Sequence, residues 1–244
     1  MKQTVLKIKK VTPEETNEIF PVLLQQEDRS YLVDCGYEET AGALELELDN
    51  WGIALKDLTG IIITHDDYDH LGGLKRLKQA NQHLKICCGE LETDSVSGLV
   101  KSERLIQAET SLESIPPEYR NWAENFIHQL KKVQRFGVDK GFADQEIFEQ
   151  EILVVHTPGH TKGHISLYLI NEMTLIAGDA LVIEDGRFNI ANPDFTLDLE
   201  TAVKSVEKIR KLSPRKIICY HGGVMTQNID KELEALIVRY QNLS

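Results

Sequence analysis

Apolar positions along the chain fall into two alternating rhythms. Val5 to Val11 and Ile19 to Gln25 alternate or run apolar, and Ser30 to Val33 forms a third short run that stops at Asp34-Cys35-Gly36. These three segments are predicted as strands, because a period of two places one set of side chains on a buried face. Glu39 to Trp51 switches to helical spacing, with Leu44, Leu48 and Trp51 expected on one face. Gly60 then precedes Ile61-Ile62-Ile63-Thr64, a β-branched run that reads as a strand buried on both faces. A helix over Leu71 to Gln79 and a second buried strand over Leu84 to Cys88 follow.

Residues 91–150 break this alternation. They are charged and helical in pattern, contain Pro116-Pro117, and predict a helical insertion within a single domain spanning 1–244. Tyr119, Trp122, Phe126 and Val133 recur at helical spacing there, and the default expectation buries them against the rest of the fold. A substrate-facing cap or a dimer face is the alternative. Beyond the insertion, Glu151 to His156 predicts a strand, and His164 to Ile170 with Thr174 to Ala177 a hairpin. Leu197 to Lys211 predicts an amphipathic helix, Ile217 to Tyr220 a buried strand, and Asp230 to Tyr240 a closing helix.

Composition narrows the class. The 244 residues carry a formal charge of −12, which argues against a surface built to neutralise nucleic-acid phosphates. MKQTVLKIKK has no apolar run suited to an export signal, and no stretch approaches the roughly 18 apolar residues of a membrane span. Four cysteines (Cys35, Cys87, Cys88, Cys219) are expected to be reduced thiols, with Cys219 a small buried residue. The expected compartment is the cytoplasm.

The candidate chemistry gathers at strand ends. His65, Asp67, Asp69 and His70 pack potential metal ligands into one turn directly after the predicted Ile61–Thr64 strand. His160 in Thr157-Pro158-Gly159-His160-Thr161, Asp179 after Gly178, and His221 before Gly222-Gly223 lie at further turns rich in Gly or Pro. Any one of these could be a solvated loop residue or a helix cap; their joint placement after strands argues for a metal site. Tyr68 is expected to pack its ring beside that site, and His156 and His164 to act as structural neighbours of His160.

In these motifs the chain resembles the metallo-β-lactamase-fold hydrolase superfamily, whose pattern is HxHxDH, then a His in TPGHTxG, then an Asp, then a His near the C-terminus. The resemblance implies an α+β, four-layer αβ/βα sandwich and a dinuclear site. His65 and His160 would hold the first metal, Asp69, His70 and His221 the second, and Asp179 would bridge them. Asp34-Cys35-Gly36 occupies the place of the family's Asp-Thr-Gly turn.

One position departs from the pattern. The second His is Asp67, so the motif reads HxDxDH. Asp67 is expected to ligate the first metal through oxygen, which leaves the loaded site electrically neutral and draws preference from Zn²⁺ towards Mn²⁺ or Fe²⁺. Asp67→His is expected to return the common site. The implied activity is hydrolysis of an ester-like bond in a small molecule by a metal-bridging hydroxide, a lactone or thioester fitting best, with Asp69 doubling as proton acceptor. Quorum-signal lactonases of the family often carry Tyr where this chain has Val182, which weighs against that substrate. A non-catalytic metal-binding sensor or scaffold, or a phosphodiesterase, is the alternative. No nucleic acid or membrane partner is expected, and a homodimer is left open.

Overall fold

A computed structural model describes residues 1–11 and 16–242. Two six-stranded mixed sheets form the centre. The first uses β1 (Lys2–Val5), β4 (Val22–Gln26), β5 (Arg29–Val33), β6 (Gly60–Ile63), β7 (Lys85–Gly89) and β8 (Lys140–Phe142), in that spatial order. The second runs β16 (Gly223–Met225), β15 (Lys216–Cys219), β12 (Thr174–Ile176), β11 (Ile165–Leu169), β10 (Ile152–His156) and β9 (Ile147–Phe148). Hairpins β2–β3 (Ile8–Val11, Thr16–Ile19) and β13–β14 (Val182–Glu184, Arg187–Asn189) stand apart from both sheets.

The period of two explains the layering. On the first sheet Val22, Leu24, Val33, Ile62 and Cys87 point inward to a core shared with Val154, Leu167, Ile176 and Ile218 of the second. Their neighbours Leu23, Leu32, Ile61, Ile63 and Ile86 point outward, against α1 (Ala41–Asn50) and α3 (Leu74–Ala80). On the far side Leu175, Ile217 and Cys219 meet α7 (Leu199–Lys211) and α8 (Ile229–Gln241). Strands buried on both faces between helices make the expected αβ/βα sandwich.

Several boundaries differ from the sequence reading. The first predicted strand splits at Leu6–Lys7 into β1 and β2, and the second divides at Phe20-Pro21, because Pro21 has no N–H for a ladder. Trp51 does not join Leu44 and Leu48 inside. It follows α1, is 47% exposed, and lies under the Lys2 ammonium. The predicted 71–79 helix is two pieces, α2 (Tyr68–Leu71) and α3, divided at Gly72-Gly73. A Cβ on Gly73 would fall 2.3 Å from the Cys35 carbonyl oxygen, so the break lets the two turns touch.

Residues 91–150 are not helical throughout. Helices α4 (Thr93–Ser97), α5 (Glu103–Ser111) and α6 (Arg120–Lys132) fill the first part, but β8 and β9 belong to the two sheets. The helical excursion therefore ends before residue 140. Among the described residues, no helix is long and apolar enough to cross a membrane.

Candidate metal centre

All seven predicted ligands converge where loops leave both sheets. His65 and Asp67 follow β6, Asp69 and His70 lie in α2, His160 follows β10, Asp179 follows β12, and His221 follows β15. A backbone bond from Ile165 N to Thr64 O ties the sheets together beside them. The donor atoms form overlapping groups: His65, Asp67 and His160; His65, His70 and Asp179; Asp69, His70 and His221.

The separations suit shared cations. Ligand atoms around one ion at about 2.1 Å stand roughly 3–3.5 Å from one another. Asp67 Oδ2 lies 3.4 Å from His65 Nε2 and 3.0 Å from His160 Nε2. In the other group His221 Nε2 is 3.2 Å from Asp69 Oδ2 and 3.6 Å from Asp179 Oδ2, while His70 Nε2 is 3.4 Å from Asp179 Oδ1. Asp179 also reaches towards His160, at 3.8 Å.

Buried atoms without partners point the same way. His65 Nε2, His70 Nε2 and Asp179 Oδ1 are sealed from solvent and have no hydrogen-bond partner. Asp34 explains why the imidazoles face inward with bare lone pairs. Its carboxylate accepts from Thr64 N (2.8 Å), Thr64 Oγ1 (2.9 Å) and His70 Nδ1 (2.9 Å), which fixes the proton of His70 on Nδ1. Thr64 Oγ1, already donating to Asp34, accepts from His65 Nδ1 at 3.0 Å, so His65 also presents Nε2 unprotonated. Asp34 holds this geometry from a left-handed backbone (φ +59°), a strain of about 1–3 kcal/mol.

Charge follows geometry. Burial opposes a charged His70, yet Asp179, Asp69 and Asp34 outweigh it and raise its pKa well above the ordinary value, so that without a cation a proton takes the Nε2 lone pair a metal would use. Burial keeps His65 neutral, its pKa lowered. Burial would push the Asp179 carboxyl up, but His221, His70 and His160 hold it well below the usual range. Such a carboxylate cage calls for cations.

His164 is a structural neighbour: its Nε2 accepts from Asp179 N at 3.0 Å, which leaves the proton on Nδ1 to be donated to Thr157 Oγ1 at 2.8 Å. Gly178, at φ +55°, is required beside it, since a Cβ there would meet His164 Nε2 at 2.6 Å. His156 reaches the Phe142 carbonyl instead, and Cys219 is buried under the helices.

Two residues escaped the sequence reading. Arg104 of α5, 3% exposed, reaches Asp67 with Nε to Oδ1 at 3.0 Å and Nη2 to Oδ2 at 2.8 Å, and its Nη2 also lies 3.2 Å from His160 Nε2. Glu92, also buried, accepts from Asp66 N and Ser95 Oγ on one oxygen and from Thr161 Oγ1 and Gly163 N on the other. It thereby clamps the His65 loop to the His160 loop. Burial lifts its pKa to about 7, against the Thr161 hydrogen bond. The signal for Arg104 is the uncompensated carboxylate at position 67, which asks for a cation without saying which of 27 Lys and Arg supplies it.

A cavity of about 450 Å³ opens over the ligands. Trp122 and Phe126 were expected in the core, but they line this cavity, because α6 buries Ala123, Ile127 and Leu130 instead. Their rings stack with centroids 5.5 Å apart, and Phe126 meets Tyr68 and Phe195 edge-on. Val133 does pack on the first core, while Tyr119 is exposed.

Comparison with known proteins gives this geometry a lineage. The family model for the metallo-beta-lactamase superfamily matches residues 19–221. A probable metallo-hydrolase of Bacillus subtilis, YflN, is 27% identical, covering 92% of this chain and 88% of the relative. A metallo-beta-lactamase family protein from Thermus thermophilus superposes with a TM-score of 0.73 at 24% identity, over 98% of this chain and 79% of its own. An archaeal superfamily protein from Sulfolobus tokodaii gives 0.61 at 21%, over 99% and 86%. The fold similarity, the matched span and the ligand order agree, and the chain belongs to the metallo-beta-lactamase superfamily.

Proposed function

We propose that this metallo-hydrolase cleaves an ester-like bond, a lactone or thioester, in a small neutral molecule with an apolar acyl portion. One observation carries the reading: the ligand cluster forms the floor of a cavity whose walls are the stacked Trp122 and Phe126, Phe195, Val182 and Ile183. Its volume is in the range of small-molecule sites.

Two divalent ions, one for each end of the ligand set, would supply carbonyl polarisation and water of lowered pKa. Zn²⁺ is the first choice, with Mn²⁺ or Fe²⁺ favoured by the oxygen of Asp67. The chain's own groups do the rest. Asp69, between His70 and His221, is placed to accept the proton of the attacking water. The aromatic walls hold the acyl group and exclude bulk water.

Charge at the cavity favours a neutral substrate over a phosphodiester. Among the lining residues Arg104 is the sole Lys or Arg, and its Nε, both Nη1 hydrogens and one Nη2 hydrogen are taken up by Asp67, Gln107 Oε1 and the Phe195 carbonyl. No guanidinium edge is left for a phosphate. The four described cysteines are free and buried, in keeping with a reducing cytoplasm.

A panel of lactones, acyl thioesters, phosphodiesters and β-lactams, assayed on protein of measured metal content, tests this. Turnover is expected for lactones or thioesters, rising with acyl length. Metal-loaded protein inert towards all four would support a sensor or scaffold instead, and a preference for phosphodiesters would overturn the substrate class.

A further inference from the structure

We infer that Asp67 and Arg104 act as one charge-neutral unit that takes the place of an imidazole in the first metal site, with Arg104 as its positioning residue. This rests on the metal-binding part of the function proposed above, and not on the substrate.

A carboxylate at position 67 differs from an imidazole in charge and in reach. Two divalent ions, three aspartates and a hydroxide would cancel, leaving a neutral site. Arg104 restores one positive charge, so the pair brings the same net charge as a neutral His. The guanidinium also fixes direction. Its Nε and Nη2 grip both oxygens of Asp67, and Oδ2 is held at 3.0 Å from His160 Nε2 and 3.4 Å from His65 Nε2. His65 Nε2 has no other partner, although the residue is fully buried.

Arg104 is itself locked. Its Nη1 is held by Gln107 and the Phe195 carbonyl, and its guanidinium carbon lies 5.2 Å from the Phe195 ring centroid. Ser102 caps α5, accepting from Leu105 N at 3.1 Å, and so sets the turn that aims Arg104. Outer partners of this kind orient a ligand and tune what it binds. The two residues should consequently be exchangeable only together. A histidine at 67 alone would leave a buried guanidinium facing two dications without its carboxylate, which contradicts the simple expectation that Asp67→His returns the common site.

The test uses the metal-free full chain, titrated with Zn²⁺ or Mn²⁺ against a chromogenic chelator, with ion content checked by elemental analysis. Wild type should take two equivalents. Arg104→Gln should weaken one of them by about 10–100-fold and leave the other unchanged. Asp67→His alone should weaken that same equivalent, whereas Asp67→His with Arg104→Leu should regain it and shift preference towards Zn²⁺. Should Arg104→Gln fail to fold, the comparison of the single and double Asp67 variants still decides. A wild-type ceiling of one equivalent that Arg104→Gln raises to two would overturn the inference, because the guanidinium would then be standing in an ion's place. Asp67→His binding as tightly as the double variant would also overturn it. Neither result bears on the hydrolase reading, which stands or falls on the substrate panel.

Discussion

The two ends of the ligand cluster are built differently. Asp69, His70, Asp179 and His221, with Asp34 behind His70, all come from turns and the short α2 that follow strands of the sandwich itself. His65, Asp67 and His160 also come from the sandwich, but the charge that balances Asp67 arrives from α5, in the insertion. The first arrangement needs only the fold. The second needs the fold and an added segment, so this insertion is part of the metal centre as well as a wall of the cavity. A substitution inside a ligand motif has here been met by a residue far along the chain.

The comparison can be broken most forcefully at Asp179, the residue that would bridge the two ends. Asp179→Ala should lower kcat/KM by more than the roughly 100-fold that losing an outer partner costs, and should reduce metal content at both ends. If only one equivalent is lost and the other binds normally, the two ends are independent.

Glu92 offers a test confined to the insertion's side. The native carboxyl keeps its proton up to about pH 7, whereas the unfolded one loses it near 4.5. The native state therefore binds more protons across that window, and stability falls as pH rises through it. Relative to Glu92→Gln, whose altered hydrogen bonding is a pH-independent offset, wild type should lose about 3 kcal/mol between pH 4.5 and 7 and nothing further above. Urea unfolding of metal-free protein across that range measures it; parallel curves would place the Glu92 proton elsewhere.

Asp34 is the corresponding brace on the other end. Asp34→Ala should weaken chiefly the metal equivalent that Arg104→Gln spares, by about 10–100-fold, because Asp34 meets His70 directly and His65 only through Thr64. Finding the same equivalent chiefly weakened by both substitutions would erase the distinction between the ends.

The smallest effect belongs to the cavity wall. Trp122 is 55% exposed, so Trp122→Ala should cost only about 1 kcal/mol of stability, mainly its stack on Phe126. The lost aromatic contact should raise KM for apolar acyl substrates up to roughly tenfold, while metal content stays fixed. A fall in melting temperature with unchanged KM would return Trp122 to a packing role.

Much of the site could be read from sequence, for a local reason. Ligands that follow a buried strand within a few residues are placed by the strand, and Ile61–Ile63, Ile152–His156, Thr174–Ile176 and Lys216–Cys219 announce themselves by their apolar runs. The turn chemistry of Gly73 and Gly178 is equally local, since each glycine answers a close approach to a neighbouring group.

Tertiary structure decided what depends on long-range pairing. Helical spacing shows that Trp122 and Phe126 share a face, but not that Ala123, Ile127 and Leu130 take the buried side and turn that face to the cavity. Arg104 and Glu92 sit in a charged, helical stretch where most such residues are solvated, and nothing nearby marks either as buried. Their roles exist because two loops from different sheets meet beside them. A carboxylate sealed from water requires a cation at contact distance, and only the packed chain settles which one reaches it.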